Sequence, residues 1–498
     1  MENRKTKIVC SLGPSSFNDD IVRKLILSGM NIARLNFSHE THDGHRASIE
    51  RVRRISKELG IPVAILLDTK GPEIRTGMTE DNGKVTIKKD DPVAVTVDGC
   101  LTEAAQGEKP ARISISWKDA VSKIQQALAG GQQPSGNFHI LVADGLLDLE
   151  VFGVSDGVIN CLANNTAEIG GKKNVNLIGI HAELPIMSEQ DKKDIEFGVK
   201  MDVDFVAASF LSFPHEVTEI KNYLASLNSS IKVIAKIECA DGVENIAEIA
   251  KLADGVMVAR GDLGVQLPVE QIPLAQKYII SACRKAGKPV ITATQMLESM
   301  IVNPRPTRAE LTDVANAIFD GTDAVMLSGE TTIGAYPVEA VKIMDKISRT
   351  VEQSEEFKKH MRSIRDECFL HDISQGNIGI IVSRSGVEVS SKVNAKAIIT
   401  PTLSGNTARI LSVFRPDHPV LAVTPNEHAI RAMQLYWGVY PYHAPIVDES
   451  DSMIQNSMRI ASESGTAAVS DKIVLVAGLP LHSPIMINTV RVIEMGSI

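Results

Sequence analysis

Several common signals are missing from this chain, and each absence removes a class of function. Its six cysteines are scattered, with no CxxC pair and no metal-finger spacing, so neither a disulfide framework nor a zinc finger is expected. No stretch approaches the roughly 18 consecutive apolar residues of a membrane-spanning helix. No lysine- or arginine-rich block interrupts a net charge of −9, which gives no support to binding of nucleic acid or a membrane surface. Neither G-x-x-x-x-G-K-[ST] nor G-x-G-x-x-G occurs, which argues against P-loop and protein-kinase nucleotide sites. A strand at Ile8-Val-Cys10 starts too early to leave room for a signal sequence, and a cytoplasmic location is expected. What remains is an ordinary globular composition, 44% apolar and 23% charged over 498 residues, enough for about three domains and a large core.

One unit recurs eight times: a short apolar, mostly β-branched run with a polar end. The runs are Lys7–Cys10, Asn31–Phe37, Val63–Asp68, Asp204–Ser209, Val233–Glu238, Gly255–Arg260, Pro289–Gln295 and Asp323–Ser328. Amphipathic helical stretches lie between most of them, among them Asn18–Ser28, His42–Leu59, Val243–Leu252 and Ile272–Ala286. Eight such units predict a (β/α)8 TIM barrel with its chemistry at the carboxyl ends of the strands. An open doubly wound sheet is the alternative, but a barrel brings eight polar ends to one mouth. Two segments depart from this pattern. Between 71 and 181, alternating runs (Gly83–Lys88, Pro92–Val97, Val158–Leu162) separated by Asp81-Asn-Gly83 and Gly170-Gly171 predict an antiparallel, β-barrel-like insertion placed as a lid. From 347 to 498 a second α/β pattern, with strands expected at Ile378–Val382, Lys396–Thr400, Pro419–Val423 and Lys472–Ala477, predicts an open sheet. The barrel is then 1–70 plus 182–346.

Chemistry concentrates at four strand ends. Lys236, Glu238 and Asp262 put two carboxylates beside a lysine, a set suited to a hard divalent cation and a developing negative charge. In Arg34-Leu-Asn-Phe-Ser-His39 polar residues alternate with apolar ones, so one face is polar. Asp68-Thr-Lys-Gly-Pro-Glu-Ile-Arg75 leads into the insertion. Arg34 and Arg75 could clamp a phosphate, or could instead be tied up in ion pairs with Asp68 and Glu73. Thr294 could relay a proton, or could only cap the next helix. In the last segment Thr402-Leu-Ser-Gly-Asn-Thr407 combines backbone amides and hydroxyls between a strand and a helix, as a phosphate nest or as a plain capping turn.

Taken in order, Arg34–His39, Asp68–Arg75, Lys236-Ile-Glu238, Met257–Gly264, Ala293–Glu298, Arg305–Glu310 and Leu327-Ser-Gly-Glu-Thr331 resemble the motifs of pyruvate kinases over nearly the whole chain. The resemblance implies transfer of a phosphoryl group from phosphoenolpyruvate to ADP, giving pyruvate and ATP. It implies Mg²⁺ or Mn²⁺ on Glu238 and Asp262, and K⁺ on oxygens of Asn36, Ser38, Asp68 and Thr69. Lys236 would face the transferring phosphoryl group and the enolate oxygen, and backbone N–H groups of Gly261 and Asp262 would take the substrate carboxylate. Arg34 and Arg75 would hold phosphates, Thr294 would lie on the proton path, and Asn36, His39 and Lys173 would join the two arginines around the nucleotide. A phosphorylated effector, a sugar phosphate or AMP, would bind Thr402, Ser404, Gly405, Asn406 and Thr407, in a homotetramer. Glu73 resembles the K⁺-requiring branch of the family.

Some positions depart from the family pattern. Glu40 and Cys239 replace a usual Gly and Asn, and Gln266 replaces a common acid. The insertion carries a long Gly107–Asn137 stretch containing Gly130-Gly-Gln-Gln-Pro134, and Gly478–Pro484 lacks the Arg/Trp loop of forms regulated by fructose bisphosphate. Two other functions compete with the kinase reading. A metal-dependent aldolase of the same barrel superfamily would not need Arg75 or the insertion, and a catalytically silent effector-binding protein would not need Lys236, Glu238 and Asp262.

Overall fold

The computed structural model describes residues 4–129, 138–180, 182, 184–445, 447, 449–479 and 487–496. Eight parallel strands close into a barrel: Lys7–Ser11, Ile32–Asn36, Ala64–Asp68, Phe205–Ala208, Lys232–Ile237, Gly255–Ala259, Val290–Ala293 and Ala324–Leu327. Each coincides with an expected run to within a few residues. Both faces of these strands are buried, which is why the runs read as continuously apolar. Alternate residues split between the two faces. Val9, Ile32, Leu66, Phe205, Ile234, Met257, Ile291 and Met326 belong to one buried cluster, and Ile8, Ile65, Val206, Val233, Val256 and Val325 to the cluster that includes the surrounding helices. The helix Asp19–Leu27 is capped by the Asn18 side chain, and His42–Leu59 ends at Gly60, whose φ of 64° supplies the left-handed cap. The expected helix at Val243–Leu252 is divided at Asn245 into Ala240–Glu244 and Ile246–Leu252.

The insertion holds, beside a separate two-stranded sheet in which Val85–Ile87, within the expected run Gly83–Lys88, pairs antiparallel with Ala167–Ile169, a seven-stranded sheet in the order Ile74–Arg75, Asn174–Ile178, His139–Val142, Leu147–Ser155, Val158–Ala163, Pro92–Thr96, Ala111–Ser114. A bridge between Thr76 and Ile115 draws its two edges together, so the sheet curls as a barrel would. It is not wholly antiparallel, since Pro92–Thr96 and Ala111–Ser114 run parallel. The stretch Gly130–Pro134, the boundary residue His181 and most of Gly478–Pro484 lie outside the described residues.

The C-terminal sheet has five strands, ordered Val439–His443, Val420–Thr424, Ala397–Pro401, Lys472–Ala477, Thr489–Glu494, with the last antiparallel. The expected strand at Ile378–Val382 is instead the first turn of a helix, Ile378–Lys392, capped by Asn377. Its buried positions recur at helical spacing, with the small or apolar residues Gly379, Ile380, Ser383, Gly386, Val387 and Ser390 facing inward. A five-residue β-branched run has no period of its own, and its continuation decides the outcome.

Candidate active site

The carboxyl ends of the barrel strands open into a cleft of about 1900 Å³ roofed by the insertion. Arg34, Asn36, Ser38, His39, Thr69, Arg75, Lys173, Lys236, Glu238 and Asp262 all line it. Asp68 lies beneath its floor, 1% exposed.

Lys236 leaves the fifth strand pointing into a ring of oxygens. Its Nζ donates to Ser209 Oγ at 2.7 Å and lies 2.8 Å from Glu238 Oε1 and 3.0 Å from Asp68 Oδ1. Burial disfavours its ammonium, but Asp68 and Glu238 more than reverse this and raise its pKa above the usual lysine value. Burial also pushes the Asp68 carboxyl up, and Arg34 and Lys236 outweigh it, so the group is held below the usual carboxylate range. Glu238, 1% exposed, goes the other way. Burial, opposed by Lys236 and reinforced by the charges of Asp262 and Asp68, raises it to about 7. Its Oε2 accepts the N–H of Phe210 at 2.7 Å.

Both arginines are found in the ion pairs that the sequence offered as the alternative. Arg34 Nε donates to Asp68 Oδ2 at 2.6 Å and its Nη1 to Ser11 Oγ at 2.8 Å. Arg75 Nε donates to Glu73 Oε2 at 2.8 Å and its Nη1 to the Lys172 carbonyl at 2.9 Å. Both side chains still line the cleft, so ion pairing and phosphate contact do not exclude each other.

Gly261 and Thr294 are not among the residues that line the cleft, although they contact each other beside Asp262, which does. The Gly261 N–H donates to Thr294 Oγ1 at 2.8 Å, and that hydroxyl donates to the Ala293 carbonyl at 2.6 Å. Thr294 and Gln295 have φ of 64° and 54°, a conformation that is costly for a β-branched residue. Glu40 also has a positive φ, 66°, so a glycine would be at ease there. Gln266 Nε2 donates to Asn176 Oδ1 at 3.2 Å, linking barrel to insertion, and Cys239 Sγ lies 3.2 Å from Ser212 Oγ. Ser209 was not singled out in the sequence although it ends the fourth expected run; its polar strand-end position was the available signal.

The residues present suit the implied cations. Glu238 is a crowded, desolvated carboxylate with Asp262 nearby, a donor pair that a divalent cation would relieve. Mg²⁺ takes one or two carboxylates and leaves its other positions to water and substrate, so two carboxylates are enough to hold it. For K⁺, Asp68 Oδ1 faces Lys236 Nζ at 3.0 Å, Asn36 Oδ1 accepts from the Ser38 N–H at 3.1 Å and Thr69 Oγ1 from the Ser209 N–H at 3.3 Å, so the oxygens that would hold the ion already have partners.

Comparison with known proteins agrees with this architecture. Residues 3–341 match the family profile "Pyruvate kinase, barrel domain", and residues 381–493 match "Pyruvate kinase, alpha/beta domain". The chain belongs to the pyruvate kinase family. It is 42% identical over 496 residues to the pyruvate kinase of Staphylococcus aureus strain USA300, covering 99% of this chain and 81% of that protein, with the same figures for strain NCTC 8325. A crystal structure of a pyruvate kinase from Cryptosporidium parvum superposes with a TM-score of 0.90 at 37% identity, over 99% of this chain and 96% of that one.

A second cavity, about 920 Å³, lies chiefly among C-terminal residues, with Ala286 of the barrel on its wall, and is lined in part by Thr402, Ser404, Asn406 and Thr407. Gly405, with φ of 81°, precedes the helix Asn406–Val413; its N–H donates to Thr402 Oγ1 at 3.0 Å, and the Asn406 N–H to Ser404 Oγ at 3.4 Å.

Proposed function

We propose that the chain transfers the phosphoryl group of phosphoenolpyruvate to ADP and then protonates the resulting enolate to pyruvate. The reading rests on one observation above the others: Lys236 Nζ, held by Ser209, Asp68 and Glu238, is a fixed positive charge at the floor of the cleft. Phosphoryl transfer leaves the protein little covalent work, so placement of charge dominates. Mg²⁺ or Mn²⁺ on Glu238 and Asp262 would neutralise charge on the phosphoryl and enolate oxygens, and K⁺ near Asn36, Ser38, Asp68 and Thr69 would add positive charge beside them. Lys236 stabilises the charge that moves from the phosphoryl group to the enolate oxygen. Arg34 and Arg75, with Asn36, His39 and Lys173 around the nucleotide, hold phosphates against the floor. The N–H groups of Gly261 and Asp262 take the substrate carboxylate, and Thr294 lies on the path by which C3 of the enolate gains its proton.

In this reading 1–70 and 182–346 form the catalytic barrel, 71–181 the lid that excludes water, and 347–498 a regulatory unit. A sugar phosphate or AMP binds Thr402, Ser404, Gly405, Asn406 and Thr407, in a cytoplasmic homotetramer. The test is pyruvate formation from phosphoenolpyruvate and ADP with Mg²⁺ and K⁺, compared with Lys236→Met prepared in parallel. Turnover that collapses in the variant supports the reading. Absence of turnover in the wild type with both cations present, even with sugar phosphates or AMP added, overturns it.

A further inference from the structure

Arg260 ends the sixth expected run beside Gly261 and Asp262, yet its side chain does not line the cleft; it is buried against the seventh strand. All three nitrogens of its guanidinium are used. Nε donates to the Ala293 carbonyl at 3.2 Å and Nη2 to the Thr294 carbonyl at 2.6 Å. Nη1 donates to Asp313 Oδ1 at 2.7 Å and to Gln276 Oε1 at 3.3 Å. The two carbonyls it grips belong to the turn where Thr294 and Gln295 both adopt left-handed φ. Such a conformation persists only where its surroundings over-determine it, and charge-assisted bonds to consecutive carbonyls are a means of doing so. The next residue after Arg260 completes the arrangement. The Gly261 N–H donates to Thr294 Oγ1, and a Cβ on Gly261 would lie 3.6 Å from that oxygen, so the two turns are in close contact.

We propose that Arg260 is a positioning residue for the protonation half of the reaction: it clamps the Thr294 turn against the sixth strand and so fixes where the Thr294 hydroxyl stands. The inference rests on the reading of Thr294 given above. Arg260 touches neither the phosphoryl group nor the enolate, and it acts through the turn alone. Lysine cannot replace it, because one ammonium on a flexible stem cannot reproduce a planar fork that spans two carbonyls and a carboxylate.

The two halves of the reaction can be measured separately. Enolisation is followed as exchange of the pyruvate methyl protons for solvent deuterium with Mg²⁺, K⁺ and ATP present: C3 loses a proton to give the enolate and regains a deuteron from solvent. Phosphoryl transfer is followed as ATP formed from phosphoenolpyruvate and ADP. Arg260→Lys is expected to slow exchange by about tenfold to a hundredfold more than it slows ATP formation, since a shift of about 1 Å is enough for such a loss. Combined with Thr294→Ala, it should slow exchange no further than Thr294→Ala alone. Asp313→Asn, which loosens only the far side of the guanidinium, should change the same ratio in the same direction by less, and it decides the matter if Arg260→Lys does not fold. Equal slowing of both halves, or losses that multiply in the double variant, overturns the clamp. Undiminished exchange in Thr294→Ala overturns instead the reading of Thr294 on which the clamp depends.

Discussion

Arg34 and Asp68 meet across the second and third barrel strands, Nε to Oδ2 at 2.6 Å, and the other oxygen of the same carboxylate lies 3.0 Å from Lys236. One buried carboxylate therefore orients two cationic side chains that line the cleft. Asp68→Asn keeps the shape but leaves Arg34 and Lys236 without their shared anchor. Its kcat should fall by about 10²–10³, the scale of losing one pre-aimed electrostatic contact, and higher K⁺ should not restore it. Steady-state kinetics across a K⁺ titration would check this.

Glu73 sets the expected K⁺ dependence. Its carboxylate pairs with Arg75 and lies 3.4 Å from Lys70, so it supplies no positive charge of its own to the floor. Wild-type activity should fall at least roughly tenfold without K⁺, and Glu73→Lys should remove most of that dependence by bringing an ammonium to the same region. Full wild-type activity in K⁺-free Tris buffer would contradict this.

Asp323, at the foot of the eighth strand, pairs with Arg415 of the C-terminal unit at 2.6 Å, both side chains 5% exposed. Arg415 also donates to the Gly321 carbonyl at 2.6 Å. Arg415→Ala leaves a buried carboxylate uncompensated and should cost about 3–5 kcal/mol, read as a lowered midpoint in urea unfolding.

Lys7 gives a stability that depends on pH. Burial, reinforced by the charge of Arg4 and opposed by Glu352, lowers its pKa to about 7, and its Nζ donates to the Val439 carbonyl at 2.6 Å. From pH 7 up to the ordinary lysine value of 10.5 the unfolded chain holds this proton more tightly than the folded one. The contribution of Lys7 is therefore least favourable below pH 7 and grows as pH rises, by at most about 1.4 kcal/mol per unit. Lys7→Met should lack this rise, so the melting temperature of the wild type should gain on that of the variant between pH 7 and 9.

The barrel was legible because its strands are buried on both faces and each ends in polar residues, so run and function coincide in one string such as Lys236-Ile-Glu238. The C-terminal sheet was less legible. Ile378–Val382 has strand composition but continues at helical spacing, while Val439–His443, rich in Tyr and Pro, and Thr489–Glu494, half exposed, lack a continuous apolar run. Within the site, most residues that line the cleft stand in the strand-end clusters of the sequence, whereas Lys173 of the insertion was implied only by the family resemblance. Partnerships were not. Nothing local in the sequence tells that Arg260 turns away from the cleft to hold Thr294, or that Ser209 meets Lys236, because each pairing joins different strands.

Asp323 has a counterpart at the foot of the fourth strand. Asp204 accepts the Ile65 N–H at 2.7 Å on one oxygen and Arg431 Nε at 2.6 Å on the other, just as Asp323 accepts the Val290 N–H at 2.9 Å on one and Arg415 on the other. Each carboxylate thus serves as sheet hydrogen-bond acceptor and as interface ion at once. Pulling the C-terminal unit away strips a partner from the same group that finishes a barrel strand, and fraying that strand releases the arginine. The two ion pairs thereby tie the ends of two barrel strands to the seating of the C-terminal unit.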